Sequence, residues 1–345
     1  MLEGRIVRLT DCAEVTEVRD FLKNFDLSFD GDVDYTVTFR ENDRIIATGS
    51  FKGAVIRNVA IDALMQGEGL LAAVVTALME EQGRRGIFHR LLFTRPGKAH
   101  LFAALGFQEL VRAEPYAILL EQGLGGFDAF CQSVRRQAEA LPPGKRAALV
   151  INGNPFTLGH QALIAHAAAE NETVIVFVVR EDRSLFPSDV RLALIKQGAS
   201  QFKNVLVVSG GDYIISSATF PAYFTREEQL VVAQTRLDAT LFAEKIAPAL
   251  AISRRYVGEE PYCLVTRAYN EALAEILPQH GVQLIVMPRA KIAGKAISAS
   301  DVREALRRDE WDAVRLMVPD VTWAYLHSVA AQPVIDRIKT VKSRH

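Results

Sequence analysis

Residues Asn152-Gly153-Asn154-Pro155-Phe156-Thr157-Leu158-Gly159-His160 place turn-forming residues, a hydroxyl, a glycine and an imidazole within nine positions. That combination suits an anion. If a helix begins here, Thr157, Gly159 and His160 crowd its first turn, where unsatisfied backbone N–H groups and the positive end of the macrodipole attract negative charge. The Thr157 hydroxyl and the His160 ring add donors on the same side, so a nucleoside triphosphate is the natural occupant. Gly159 leaves the backbone open to close approach.

A second cluster, Ile297-Ser298-Ala299-Ser300-Asp301-Val302-Arg303, precedes the helix-like Glu304-Ala305-Leu306-Arg307-Arg308. Ser298 with Asp301 fits a capping box, and Ser300 fits the cap equally well. Arg303, one turn in, is placed to offer a guanidinium to the same anion. Taken singly, both serines read as plain caps, Thr157 as an N-cap and His160 as an ordinary helix histidine. Two anion-ready helix starts in one domain favour a triphosphate gripped from both sides.

These residues need a rigid frame. Arg146-Ala147-Ala148-Leu149-Val150-Ile151 reads as a buried parallel strand, and Gln161 to Ala168 as a strong helix former. Further strand candidates are 173–179, 205–209, 256–258 and 284–287, alternating with helix candidates 190–200, 226–243 and 266–277. The alternation predicts an α/β fold with a doubly wound, Rossmann-like parallel sheet, whose ligands sit beyond the carboxyl ends of the strands. The first 125 residues, with short alternating strands and two or three helices, predict a smaller α+β domain. Between the two, 126–144 reads as a helical linker ending at Leu141-Pro142-Pro143-Gly144. The second domain is expected over 145–345.

Composition narrows the function classes. Forty basic and 41 acidic residues leave a net charge of −1, no field for gripping nucleic acid. Cys12, Cys131 and Cys263 lie too far apart for a zinc site or disulfide framework. Neither a signal peptide nor an apolar run of ~18 residues is visible, so a cytoplasmic protein that does not enter membranes is expected.

The T-x-G-H loop and the late I-S-x-S-x-V-R resemble the nucleotidyltransferase superfamily, which includes pantetheine-phosphate adenylyltransferases and class I aminoacyl-tRNA synthetases. The segments around them, Gly211-Asp212-Tyr213-Ile214-Ile215-Ser216-Ser217-Ala218-Thr219-Phe220-Pro221, Gly258-Glu259-Glu260-Pro261-Tyr262 and Val265 to Ala272, are similar to the [citrate (pro-3S)-lyase] ligase family, and the similarity spans the chain. The resemblance implies that ATP activates acetate as acetyl-AMP, releasing pyrophosphate. The acetyl group then passes to the thiol of a phosphoribosyl-dephospho-CoA group on the acyl carrier subunit of citrate lyase.

It also implies catalytic roles for His160, Thr157 and Arg303, and nucleotide binding by Asn154, Phe156, Gly159, Ser298, Ser300, Asp212 and Tyr213. Mg²⁺ is expected with the phosphates, although no carboxylate pair marks its ligands. Glu259, Glu260, Tyr269 and Asn270 are second-rank candidates. Lys291 and Lys295, in a Gly-containing loop before the serines, read either as closing over the triphosphate or as plain surface lysines, and Arg254-Arg255 and Arg307-Arg308 are candidate contacts for an acidic carrier helix.

In the first domain, Gln66-Gly67-Glu68-Gly69-Leu70-Leu71 after Arg57 to Asp62 resembles the Gly-rich acetyl-CoA loop of GCN5-related acetyltransferases. Leu71 departs from that pattern, which wants Gly or Ala there. The resemblance implies that Gln66, Gly67 and Gly69 hold the CoA-like arm. Two other readings stay open: an adenylyltransferase acting on a phosphopantetheine-like phosphate ester, and a non-catalytic protein that binds nucleotide and carrier.

Overall fold

The computed structural model describes residues 4–29, 31–67, 69–180, 184–215, 220, 227–259, 264–292 and 295–340, with the side chains of 227–229, 264–265, 292 and 295 set aside. The chain divides into two compact units, Met1–Ala129 with Phe220–Leu237, and Phe130–Thr219 with Asp238–His345. The second part of the first unit comes from inside the stretch that the strand–helix alternation assigns to the second domain. Its anchor is aromatic: the Phe220 ring meets Phe93 edge-on at 5.6 Å, and Arg236 lies over Tyr116 at 6.0 Å.

The first unit is α+β. Strands β1 (Gly4–Ile6), β2 (Tyr35–Glu41), β3 (Arg44–Lys52), β4 (Val55–Ile61), β5 (His89–Thr94), β6 (Gln108–Ala113) and β7 (Ala117–Gly123) form one sheet in the order β1-β2-β3-β4-β5-β7-β6. Neighbours are antiparallel except β4 and β5, which pair in parallel over Val55↔Leu91 and Ile56↔Leu92. Helix Leu70–Arg84 buries Val74, Val75 and Leu78 in a core with Val37, Phe51 and Ile56. Each such side chain contributes about 1.5–3 kcal/mol on leaving water.

The second unit carries the parallel sheet. Strands β8 (Arg146–Ile151), β9 (Thr173–Val178), β10 (Val205–Ser209), β11 (Ile252–Gly258) and β12 (Gln283–Met287) lie in the order β10-β9-β8-β11-β12, every neighbouring pair parallel. All six residues of β9 are buried, as expected for a strand covered on both faces. On one face Leu149, Ile151, Val176 and Val178 pack with Ile164, Leu194 and Ile195 from helices Leu158–Glu170 and Ser188–Ala199. The strand order reverses between β8 and β11, which makes the carboxyl end of β8 the switch point where such sheets bind ligands.

Strand β11 starts four residues before its expected beginning because Arg255 belongs to it. Two consecutive arginines look like surface, yet Arg255 is fully buried and is therefore not a carrier contact. Its guanidinium lies 4.2 Å from the Phe242 ring centroid and donates to the Tyr269 hydroxyl at 2.6 Å. That hydroxyl donates to Asp238, which also accepts from the Ile215 N–H at 2.7 Å. Phe242 opens a π-helical turn, Phe242–Ile246, directly after helix Glu227–Leu241. Among the described residues no helix is long and apolar enough to cross a membrane.

Candidate functional site

β8 ends at Ile151, and helix Leu158–Glu170 starts seven residues later, with Thr157 as its N-cap in extended conformation. The cap is reciprocal. Thr157 Oγ1 accepts from the His160 N–H at 3.4 Å, while the Thr157 N–H donates to His160 Nδ1 at 3.1 Å. Capping boxes ordinarily use Glu or Gln at this third position, and here an imidazole takes that role. Because a backbone N–H can only donate, Nδ1 must be the acceptor, and the neutral ring carries its proton on Nε2.

The ring is held on its face as well. His160 stacks on Phe156 with centroids 6.0 Å apart and planes 13° apart. Burial lowers the imidazole pKa to about 4, with the Arg289 cation as a second cause. At neutral pH His160 is thus an uncharged N–H donor beside the positive end of a helix.

The second motif meets the first through backbone. Ser298 caps helix Ala299–Arg307, its Oγ accepting from the Asp301 N–H at 3.0 Å. A Cβ placed on Gly159 would lie 3.6 Å from the carbonyl oxygen of Ile297, the residue before that cap. This is ordinary van der Waals contact and Gly159 has no positive φ, so neither packing nor backbone conformation excludes a small side chain there. Ile297 donates its N–H to the Ala290 carbonyl at 2.9 Å, which brings the segment after β12, including Arg289, to the same edge. Arg289 itself is tied down by an Nε bond of 2.7 Å to the Glu259 carbonyl. Sequence reasoning passed over Arg289, although its place just beyond a strand's carboxyl end is where such a cation would be sought.

Several residues expected to touch nucleotide face the protein instead. Arg303 is 6% exposed; its Nη1 donates to the Asn154 carbonyl and its Nη2 to Ser300 Oγ at 3.4 Å. Burial lowers its pKa. The guanidinium braces the 152–157 loop, because an arginine fork satisfies a buried carbonyl and a hydroxyl together. Asn154 is buried too, its Oδ1 accepting from the Phe186 N–H at 3.0 Å. Phe156 is fully buried, and Tyr213 is 5% exposed with its ring 5.2 Å from Phe130. All four are more than nine-tenths buried, with the contacts described here made to the protein itself.

Asp212 lies beyond the carboxyl end of β10, in an ion pair of 3.6 Å with Arg180 from beyond the end of β9. Tyr269 belongs to the buried Arg255 cluster, and Asn270 donates to the Gly258 carbonyl at 3.1 Å. Lys291 stands on a two-stranded hairpin, β13 (Lys291–Ile292) with β14 (Lys295–Ala296). Glu260, the side chain of Lys295, and residues 216–219 and 221 of the Gly211 to Pro221 segment fall outside the described residues. Among the described residues, no three His, Cys, Asp or Glu side chains gather as metal ligands.

In the first unit, Gly67 and Gly69 have φ of 98° and 75°, and Gly69 is the N-cap of helix Leu70–Arg84. Both conformations favour glycine. Gln66 precedes them on the surface, and Glu68 lies outside the described residues.

Residues 146–326 match the family model described as the citrate lyase ligase C-terminal domain. A [citrate [pro-3S]-lyase] ligase of Klebsiella pneumoniae is 36% identical over 335 residues, covering 94% of this chain and 96% of that protein. One from Escherichia coli K12 is 32% identical, covering 94% and 93%. Among solved structures, the ribosomal-protein-S18-alanine N-acetyltransferase of Escherichia coli covers 35% of this chain and 94% of its own at 17% identity and a TM-score of 0.30. An IAA acetyltransferase from Bacillus cereus covers 36% and 100% at 12% identity and a TM-score of 0.28.

Proposed function

The chain belongs to the citrate lyase ligase family, and on that premise we propose that it activates acetate with ATP, releases pyrophosphate, and acetylates the thiol of the citrate lyase acyl carrier subunit. The observation that carries this reading is the hydrogen bond from Arg303 to the Asn154 carbonyl, with Ile297 lying near Gly159, which brings two helix N-termini together at the switch point of a parallel sheet. A triphosphate lying there would meet the first-turn N–H groups of helix Leu158–Glu170 and the Nε2–H of His160.

Adenylation asks little covalent chemistry of the protein, because a carboxylate is already a nucleophile. The demand is to stabilise charge on the α-phosphate and on the departing pyrophosphate. Donors fixed before the reaction begins do this at no cost of reorganisation. His160 is such a donor, since Thr157 sets its tautomer and Phe156 its plane. Ser298 and Ser300 would serve the far end of the triphosphate, with Arg303 holding Ser300 and the loop in register. Mg²⁺ would arrive on the phosphates and supply further charge neutralisation.

The carrier's phosphoribosyl-dephospho-CoA arm would lie on the first unit, its pyrophosphate against Gly67, Gly69 and the start of helix Leu70–Arg84. The deciding experiment is exchange of labelled pyrophosphate into ATP with a panel of short carboxylates. Acetate-dependent exchange supports the ligase. Exchange that ignores acetate and requires a phosphate ester supports an adenylyltransferase instead.

A further inference from the structure

We propose that Arg191 is a positioning residue for the phosphate loop: its buried guanidinium holds residues 152–157 in the one arrangement that sets Thr157 and His160 for catalysis. This rests on the reading of that loop as the ATP site. Arg191 lies on helix Ser188–Ala199 and is fully buried. Its Nη1 donates to the Asn152 carbonyl at 2.7 Å, to Asn152 Oδ1 at 2.8 Å and to the Val179 carbonyl at 2.7 Å. Its Nε donates to the Phe186 carbonyl at 3.0 Å. One side chain thus ties together the residue after β8, the residue after β9 and the stretch entering its own helix.

The reason lies in the sheet. Parallel strands that stop at a common edge leave their last carbonyls without a ladder partner, and buried carbonyls must be satisfied. A guanidinium can satisfy several such oxygens from one fixed plane, which an ammonium cannot do in the same geometry. The bracing continues through the loop. Phe186, whose carbonyl Arg191 holds, donates its N–H to Asn154 Oδ1, and the Asn154 carbonyl accepts from Arg303. Two buried arginines from different helices therefore grip the loop at Asn152 and at Asn154. Thr157 is three residues further on, and its N–H orients His160.

Burying a guanidinium costs several kcal/mol before its hydrogen bonds are counted. A fold that only needed a filled space could use an apolar side chain here.

The test uses the full chain with Arg191→Lys and, as a milder change, Asn152→Ala, which removes one acceptor and leaves the guanidinium in place. Four quantities are read: thermal unfolding, ATP affinity by calorimetry without acetate or carrier, acetate-dependent pyrophosphate exchange, and the side-chain NMR signals of labelled histidine, with His160 assigned through His160→Gln. In the unsubstituted chain the His160 signal is that of an Nε2–H tautomer and does not titrate between pH 5.5 and 7.5. Arg191→Lys should fold, yet move His160 titration toward the ordinary histidine range, weaken ATP binding at least tenfold, and lower turnover by the roughly 10²-fold typical of a ~1 Å misplacement. Asn152→Ala should shift all three in the same direction by less.

A folded Arg191→Lys with His160 silent and ATP affinity unchanged overturns the proposal. So does a lower unfolding temperature as the only effect, since that is what a merely structural arginine would give. If Arg191→Lys does not fold, Asn152→Ala decides by the same readouts. Should the unsubstituted chain bind no ATP, the reading of the site fails, while the His160 signal still reports whether Arg191 positions the loop.

Discussion

His160 Nδ1 accepts the Thr157 backbone N–H at 3.1 Å and lies 2.9 Å from the Thr157 hydroxyl oxygen. The residue expected to touch phosphate thus spends one nitrogen on the protein to present the other as a donor of known protonation. The remaining nitrogen, Nε2, carries the proton. Substituting glutamine, whose amide nitrogen can reach about where Nε2 stands, should preserve more exchange activity than substituting asparagine. His160→Ala should lower acetate-dependent pyrophosphate exchange by about 10²–10³, the usual effect of losing one charge-stabilising donor. Equal activity in all three variants would remove His160 from the mechanism.

Protonation of His160 should leave the pH profile of kcat/KM flat from about pH 5.5 upward, because its pKa stands at about 4. The same shift has a stability consequence. The unfolded chain binds this proton near pH 6.5 and the native chain only near 4, so the unfolded state carries more protons between those values. Stability from this group is therefore complete above about pH 6.5 and falls as the pH drops toward 4. Denaturant midpoints of the parent chain and His160→Gln, compared at pH 7 and pH 5, check it: the gap between them should narrow at pH 5.

Gly198→Ala should destabilise, although alanine in a helix interior ordinarily stabilises by about 0.5–1 kcal/mol over glycine. The added Cβ would stand 2.3 Å from Cε1 of the fully buried Phe156 ring. Overpacking of this kind costs about 1–3 kcal/mol. Because Phe156 stacks on His160, the ATP KM should rise as well. A more stable Gly198→Ala variant with unaltered KM would contradict this.

Arg255→Met should be among the most damaging single changes in the second unit. It would leave Asp238 buried with its main cation gone, and burial already pushes that carboxyl above the usual carboxylate range despite Arg255. Breaking a buried pair by removing one partner costs about 3–5 kcal/mol. Equilibrium unfolding in urea measures it, and a double change with Asp238→Leu should recover part of the loss.

Gly69→Val should weaken binding of the acyl carrier subunit in its CoA-like-group form and leave acetate-dependent pyrophosphate exchange intact. A β-branched residue is strained at φ 75°. Carrier affinity by calorimetry reads the effect, and an unchanged affinity would separate the first unit from the prosthetic arm.

The fold class of the second unit was legible because most of its strands are short apolar runs set between helix formers. β9 is apolar throughout after Thr173, and both faces of the sheet must be covered. Strand β11 was clipped at its start because Arg254 and Arg255 read as solvated charge; only tertiary packing supplies the Phe242 ring, Tyr269 and Asp238 that let a guanidinium be buried. The assignment of Phe220–Leu237 to the first unit was likewise hidden, since nothing local tells a helix which core it will join.

The loop at 152–160 and the serines at 298–300 could be marked from sequence because capping chemistry is local. Hydroxyls and small residues at a helix start act within one turn. What the sequence by itself determined was therefore where the two helix starts lie and that they suit an anion. The tertiary structure decided which of the nearby side chains are buried. Arg303, Asn154, Phe156 and Tyr213 turn inward, Arg191 enters as a support and Arg289 joins the edge, because buried carbonyls and rings separated by tens of residues compete for the same donors and the same space.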